Sequence, residues 1–237
     1  MCISAWSKSH KFHKDAGQRA VELLHRQFDL SKPDQIGDDV KPDLISFTSC
    51  ILVQSKSTAE DRLQQASALL KKYLDEIKLG NLSVTQNPTG PFSAVLTTIA
   101  NYRVPKTTGK VASTDTIEDG SSEIDVFSSA VDTQSDPYSM AINIFDQVER
   151  DAHGIGTKAD HHCVTAFFKC MVAHSIPGST EREHTSRRVF QDACQVGQVS
   201  RQVLKEFQTL LGPAANTFPD LRNPPKPWSR NVTATFR

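Results

Sequence analysis

Cys163, Cys170 and His174 stand seven and four residues apart, with His161 and His162 just ahead of them. On one helix that spacing puts three potential metal ligands on a common face. Structural zinc, however, takes close Cys pairs presented by turns. The five cysteines, Cys2, Cys50, Cys163, Cys170 and Cys194, contain no CxxC pair and are odd in number, which points to reduced thiols in a cell interior. They are expected on packed or partly buried helix faces. A metal-dependent enzyme around Cys163 and Cys170 is the minor rival, and stoichiometric zinc in the purified protein would reveal it. No GxSxG elbow, phosphate-cradling loop or Gly-rich fingerprint after a strand is present. The expectation is a protein with no enzymatic activity, cofactor or metal.

A second kind of chemistry lies in two acidic turns. "DDVKPDLISFTSCI" at 38–51 and "GIGTKADHHCVTAFFKCMV" at 154–172 share one plan, with Lys41-Pro42-Asp43 matched by Lys158-Ala159-Asp160. Asp43 and Asp160 are natural helix N-caps, since a carboxylate there accepts orphan backbone N–H groups. Thr48, Ser93 and Thr165 follow as short polar residues near helix starts. Taken alone they are ordinary exposed polar side chains.

These residues must be positioned by helices. Leu63, Ala66, Leu69, Leu70, Tyr73, Leu74 and Ile77 make one apolar stripe within 58–78. Similar stripes run through 137–152 (Met140, Ala141, Ile144, Phe145, Val148, Ala152), 16–28 (Ala16, Ala20, Leu23, Leu24, Phe28) and 185–195 (Val189, Phe190, Ala193, Cys194). A shorter apolar segment precedes each: Cys2, Ile3 and Trp6; Phe47, Cys50 and Ile51; Phe92, Val95, Leu96 and Ile99; Val164, Phe167, Phe168 and Met171. No alternating strand pattern competes, so the fold class is all-α. Ile3, Ile51 and Leu96 are 48 and 45 residues apart, and Phe168 follows after 72, of which 33 are inserted. Two helices per unit at such a period is the signature of an α-solenoid of helix–turn–helix repeats.

The organisation expected is helical repeats over 1–103, an acidic insert over 104–136, further repeats and C-terminal helices over 137–211, and a tail over 212–237. The insert is rich in Ser, Thr and Asp and too poor in apolar residues to offset chain entropy, so it reads as disordered. The tail, with five prolines, reads as an irregular cap. Formal charge is zero overall but divides as +2, −5 and +3 over 1–103, 104–136 and 137–237. The folded parts are thus mildly basic, which suits a nucleic-acid surface without requiring one. No run of 18 apolar residues offers a membrane span.

"VKPDLISFTSCI" resembles the junction between two pentatricopeptide repeats. "CISAWSKS" at 2–9 and "AVELLHRQF" at 20–28 resemble parts of the repeat's first and second helices, and "TKADHHCVTAFFKC" at 157–170 is a looser copy. "RRVFQDACQVGQVSRQVLKEFQTLLG" followed by "PWSRNV" is similar to the ending of family members from diatoms and related algae. Two features depart from the pattern: "NPTGPFSAVL" opens the third unit without a Lys-Pro-Asp turn, and Ala159 replaces the proline of the fourth. Met1 falls inside the first helix of the first unit, which suggests a fragment lacking N-terminal repeats.

The resemblance implies single-stranded RNA binding, each unit reading about one base, in RNA processing, stability or translation in a mitochondrion or plastid. Other RNA-processing proteins are implied as further partners. Carried over by position, the base-facing residues are Asp43; Thr48 with Pro88; Ser93 with Asp160; and Thr165. Ser93 with Asp160 resembles the combination associated with guanine, whereas Pro88 has no side-chain donor or acceptor to offer. The competing expectation is a tetratricopeptide-like solenoid holding a protein partner.

Overall fold

Capping side chains start most of the helices. In the computed structural model, which describes residues 15–31, 40–84, 88–103, 136–217, 221, 224–233 and 235, eight α-helices and no strand are found. They are α1 (Ala16–Leu30), α2 (Leu44–Gln54), α3 (Arg62–Lys78), α4 (Gly90–Asn101), α5 (Pro137–Glu149), α6 (His161–His174), α7 (Thr180–Val196) and α8 (Arg201–Leu211). Asp43, Asp136 and Asp160 cap α2, α5 and α6, each accepting the N–H three residues on. Ser179 and Ser200 do the same for α7 and α8. Pro91 and Pro137 lie in first turns, where the missing N–H removes no helical bond. The regular structure of the described residues is all helical, an arrangement compatible with an α-solenoid.

The even-numbered helices pack side by side, α2 on α4, α4 on α6 and α6 on α8. Odd-numbered helices bridge them from behind: α3 touches α2 and α4, α5 touches α4 and α6, and α7 touches α6 and α8. Helix α1 packs on α2. The short apolar segments supply the packed layer. Phe47, Cys50, Ile51, Phe92, Val95, Leu96, Ile99, Val164, Phe167, Phe168 and Met171 are all buried. Ring contacts tie the layers together: Phe145 of α5 stacks on Phe167 with centroids 4.2 Å apart, and Phe207 of α8 stacks on Phe190 of α7 at 3.9 Å.

The stripes on the longer helices are also buried, with differences at their margins. Ala152, expected on the stripe of α5, is exposed because that helix stops at Glu149. Leu23, Phe28, Ile77, Met140 and Cys194 are only partly covered. Helix α7 begins at Thr180, five residues before its apolar stripe, because Ser179 supplies the cap. Cys2, Ile3 and Trp6, and residues 104–135 of the expected insert, lie outside the described residues.

Two short 3-10 helices, Gly212–Thr217 and Lys226–Ser229, form part of the C-terminal segment. Trp228 packs edge-on against Phe190, with centroids 5.5 Å apart. The Arg230 guanidinium donates to Gln195 O at 2.6 Å, and the Asn231 amide donates to Val196 O at 2.6 Å. These bonds satisfy carbonyls that the end of α7 leaves unpaired. Gly197, left-handed with φ 75°, ends that helix, and a Cβ there would stand 2.4 Å from Arg230 Cγ. The described part of 212–237 is therefore tied to the end of α7 by specific contacts.

Candidate nucleic-acid interface

Contacts between like ends show that α2, α4, α6 and α8 run parallel. At their C-terminal halves the Thr98 hydroxyl of α4, bonded to Ala94 O at 2.9 Å, lies 3.5 Å from Ile51 O of α2, and the Cys170 thiol of α6 donates to Leu96 O of α4 at 2.9 Å. At their N-terminal ends Thr89 donates to Asp160 Oδ2 at 3.0 Å, and His161 N–H donates to Gln198 Oε1, two residues before the cap of α8, at 3.3 Å. Four helix N-termini thus lie along one edge, with the positive ends of their dipoles together.

Three of the five sequence-predicted residues meet at the start of α4, around Thr89 and Gly90. Thr48 of α2 lies against Gly90, where a Cβ would stand 2.7 Å from its Oγ1. Ser93 donates its hydroxyl to Gly90 O at 2.9 Å. Asp160 is joined to the buried Thr89 and also accepts Cys163 N–H through Oδ1 at 2.8 Å. Thr165 lies one turn into α6, and Asp43 caps α2 by accepting Ser46 N–H at 2.7 Å. Both aspartates hold the N-cap role that their residue type suggests. Pro88 is itself buried.

The hydroxyls share one bonding state. Thr48 donates to Leu44 O at 2.7 Å and Thr165 to His161 O at 2.6 Å, as Ser93 does to Gly90 O. Each O–H is spent on its own helix, and each oxygen keeps lone pairs as an acceptor. All three side chains are half-buried, which limits their rotamers while leaving them solvent access.

The turn before α6 positions Asp160. Asp151, at φ 46°, accepts Ile155 N–H, Thr157 N–H and the Thr157 hydroxyl through Oδ1, and Gly156 N–H through Oδ2, at 2.9–3.1 Å. These bonds, led by that from Thr157 N–H, hold the Asp151 carboxyl below its ordinary pKa. The buried Thr157 hydroxyl also lies 3.1 Å from Val148 O, so the loop packs on the end of α5. Burial, aided by the neighbouring His162, lowers the His161 pKa and favours its neutral ring beside the α6 cap.

The residues that might have bound metal are otherwise engaged. Cys163 and Cys170 are buried, Cys170 bonds Leu96 O, and His174 Nε2 lies 2.7 Å from Ile99 O. Burial pushes the Cys50 thiol up to about 12 and raises the Cys163 and Cys170 thiols as well, so none is a ready thiolate ligand. Among the described residues no three His, Cys, Asp or Glu side chains are grouped to hold a metal, and no helix is long and apolar enough to cross a membrane.

Sequence reasoning passed over Thr89 and Gly90. Thr89 looks like one more loop hydroxyl, because its partner Asp160 is 71 residues away. The tripeptide Thr89-Gly90-Pro91 was the available signal: a small residue at a helix start, flanked by a proline, leaves room for a neighbouring helix to approach. No family model, curated protein or solved structure matches the chain.

Proposed function

We propose that the chain is an α-solenoid of the pentatricopeptide type that binds single-stranded RNA along the N-terminal edge of its even-numbered helices. The observation that carries this reading is the row of half-buried hydroxyls, Thr48, Ser93 and Thr165, on three parallel helices packed side by side. With their O–H groups turned inward they offer acceptors, and every base carries an amino or imino N–H on its Watson–Crick edge that such an oxygen can accept. Asp43 and Asp160 add carboxylate acceptors at the same edge. Ser93 and Asp160 together favour a purine, and replacing Ser93 by Asn shifts that preference toward a pyrimidine. The role we assign is binding in organellar RNA processing, stability or translation, in a mitochondrion or plastid, with no catalytic step.

A fluorescence-anisotropy titration of short single-stranded RNAs, with the same sequences as DNA and as duplex at two salt concentrations, tests the reading. Salt-sensitive binding that prefers single-stranded RNA is the expected result, and a folded helical sample that binds none overturns it. One observation favours a protein partner instead. Ile45, on the first turn of α2, is 69% exposed, with Leu44 and Leu52 partly exposed on the same helix. Failure with RNA would move attention to that apolar edge.

A further inference from the structure

The row of outward positions does not stop at Thr165. Thr48 lies five residues after the cap Asp43, and Thr165 five after the cap Asp160. Ser93 lies five after Pro88, the position aligned with those caps by the burial of Phe92 and Leu96. Helix α8 is the next member of the same layer. Phe168 stacks on Phe207 with centroids 5.7 Å apart, and the loop entering α8 bonds the first residue of α6. Its cap is Ser200, and five residues on stands Lys205, which is exposed. On the neighbouring α6, one turn beyond Thr165, Lys169 is also exposed.

Among the described residues no helix continues the layer beyond α8. Ile51, Leu96 and Phe168, eight residues after their aligned positions, are buried against the next even-numbered helix. Their counterpart on α8 is Gln208, which is exposed and donates instead to Leu221 O at 3.4 Å. Lys205 therefore occupies the last position of the row.

We infer that Lys169 and Lys205 form a phosphate-contacting end of the interface, where the backbone of a single-stranded RNA is held while the hydroxyls of α2, α4 and α6 face its bases. This rests on the RNA-binding reading above. A lysine has three donors and no acceptor, so at Lys205 the row loses the ability to receive a base N–H and gains a mobile point cation suited to phosphate oxygens. The N-terminal dipoles of α6 and α8 act in the same sense. Neither ammonium has a carboxylate partner among the described residues. Of the acidic groups of these two helices and their caps, Glu206 accepts from Gln202 at 2.5 Å, and Asp160 is held by Thr89 and Cys163.

The test is the salt dependence of binding to a single-stranded oligouridine and a mixed-sequence RNA, for the natural protein and for Lys169→Gln/Lys205→Gln. Losing two phosphate contacts lowers the slope of log K against log salt by about 1.4 for both RNAs alike. The pair Lys169→Arg/Lys205→Arg keeps the original slope, as does Lys71→Gln/Lys78→Gln on the opposite layer. An unchanged slope in the first pair, or an equal loss in either of the other two, overturns the inference and leaves the RNA reading standing. Absence of RNA binding by the natural protein removes both.

Discussion

At the scale of single residues, the site depends on how closely α2 approaches α4. A methyl group at Gly90 would stand 2.7 Å from Thr48 Oγ1, and threonine, branched at Cβ, has little rotamer freedom to yield. Gly90→Ala is expected to cost about 1–3 kcal/mol in urea unfolding. Thr48→Ala in the same chain should recover most of that loss, because it removes the clashing atoms. Strictly additive effects in the double-mutant cycle would show that the two helices do not meet here. Asp151 makes a pH-dependent contribution. Its carboxyl pKa is depressed in the fold, so the stabilisation is complete above the unfolded value, about 3.9, and is lost as pH falls through the lower folded value. The stability gap between the natural protein and Asp151→Asn should therefore narrow below about pH 4. A gap independent of pH from 7 to 3 would mean that the four bonds to Asp151 do not favour the charged form.

At the scale of elements, what could be read in the sequence depended on how many sides a helix buries. Helices α4 and α6 lie between even-numbered neighbours, and α2 is packed by α1, α3 and α4, so their apolar residues recur at three- and four-residue steps and announce themselves. Helix α8 lies at the end of the layer and buries one side, so Gln208 and Lys205 break the pattern and its place in the row is invisible without coordinates. The Thr89–Asp160 bond was hidden for a different reason: local reading cannot pair residues from separate units. The C-terminal segment falls between these cases. "PWSRNV" drew notice only through a resemblance, whereas the bonds from Arg230 and Asn231 to Gln195 and Val196 give the segment a physical task, closing the end of α7. Trp228 carries the apolar part of that task against Phe190. Trp228→Ala should destabilise the protein by about 2–3 kcal/mol, less than a fully buried tryptophan because the ring is half-exposed. Cys194, half-buried near the end of α7, should then become more reactive toward thiol reagents; an unchanged rate would mean that the segment is not what holds that end closed.

At the scale of the whole molecule, each helix meets chiefly helices near it in the chain, so stability should vary along the layer and not be uniform. The cysteines report this variation. Cys170 lies in α6, which is packed by α4, α5, α7 and α8, whereas Cys50 lies in α2, packed by α1, α3 and α4. Both thiols are buried and both are raised by burial, so reaction with iodoacetamide requires opening. With rising urea, Cys50 is expected to become reactive before Cys170, read by mass spectrometry of the alkylated peptides. Simultaneous labelling at one urea concentration would instead make the described helices a single all-or-none unit. On the RNA-binding reading proposed above, the distinction bears on affinity. If the end containing Thr48 opens independently, its contribution to RNA affinity can fail under conditions that leave Ser93, Thr165 and the two lysines in place. Affinity measured at low urea would then fall in part, with the salt dependence set by Lys169 and Lys205 retained.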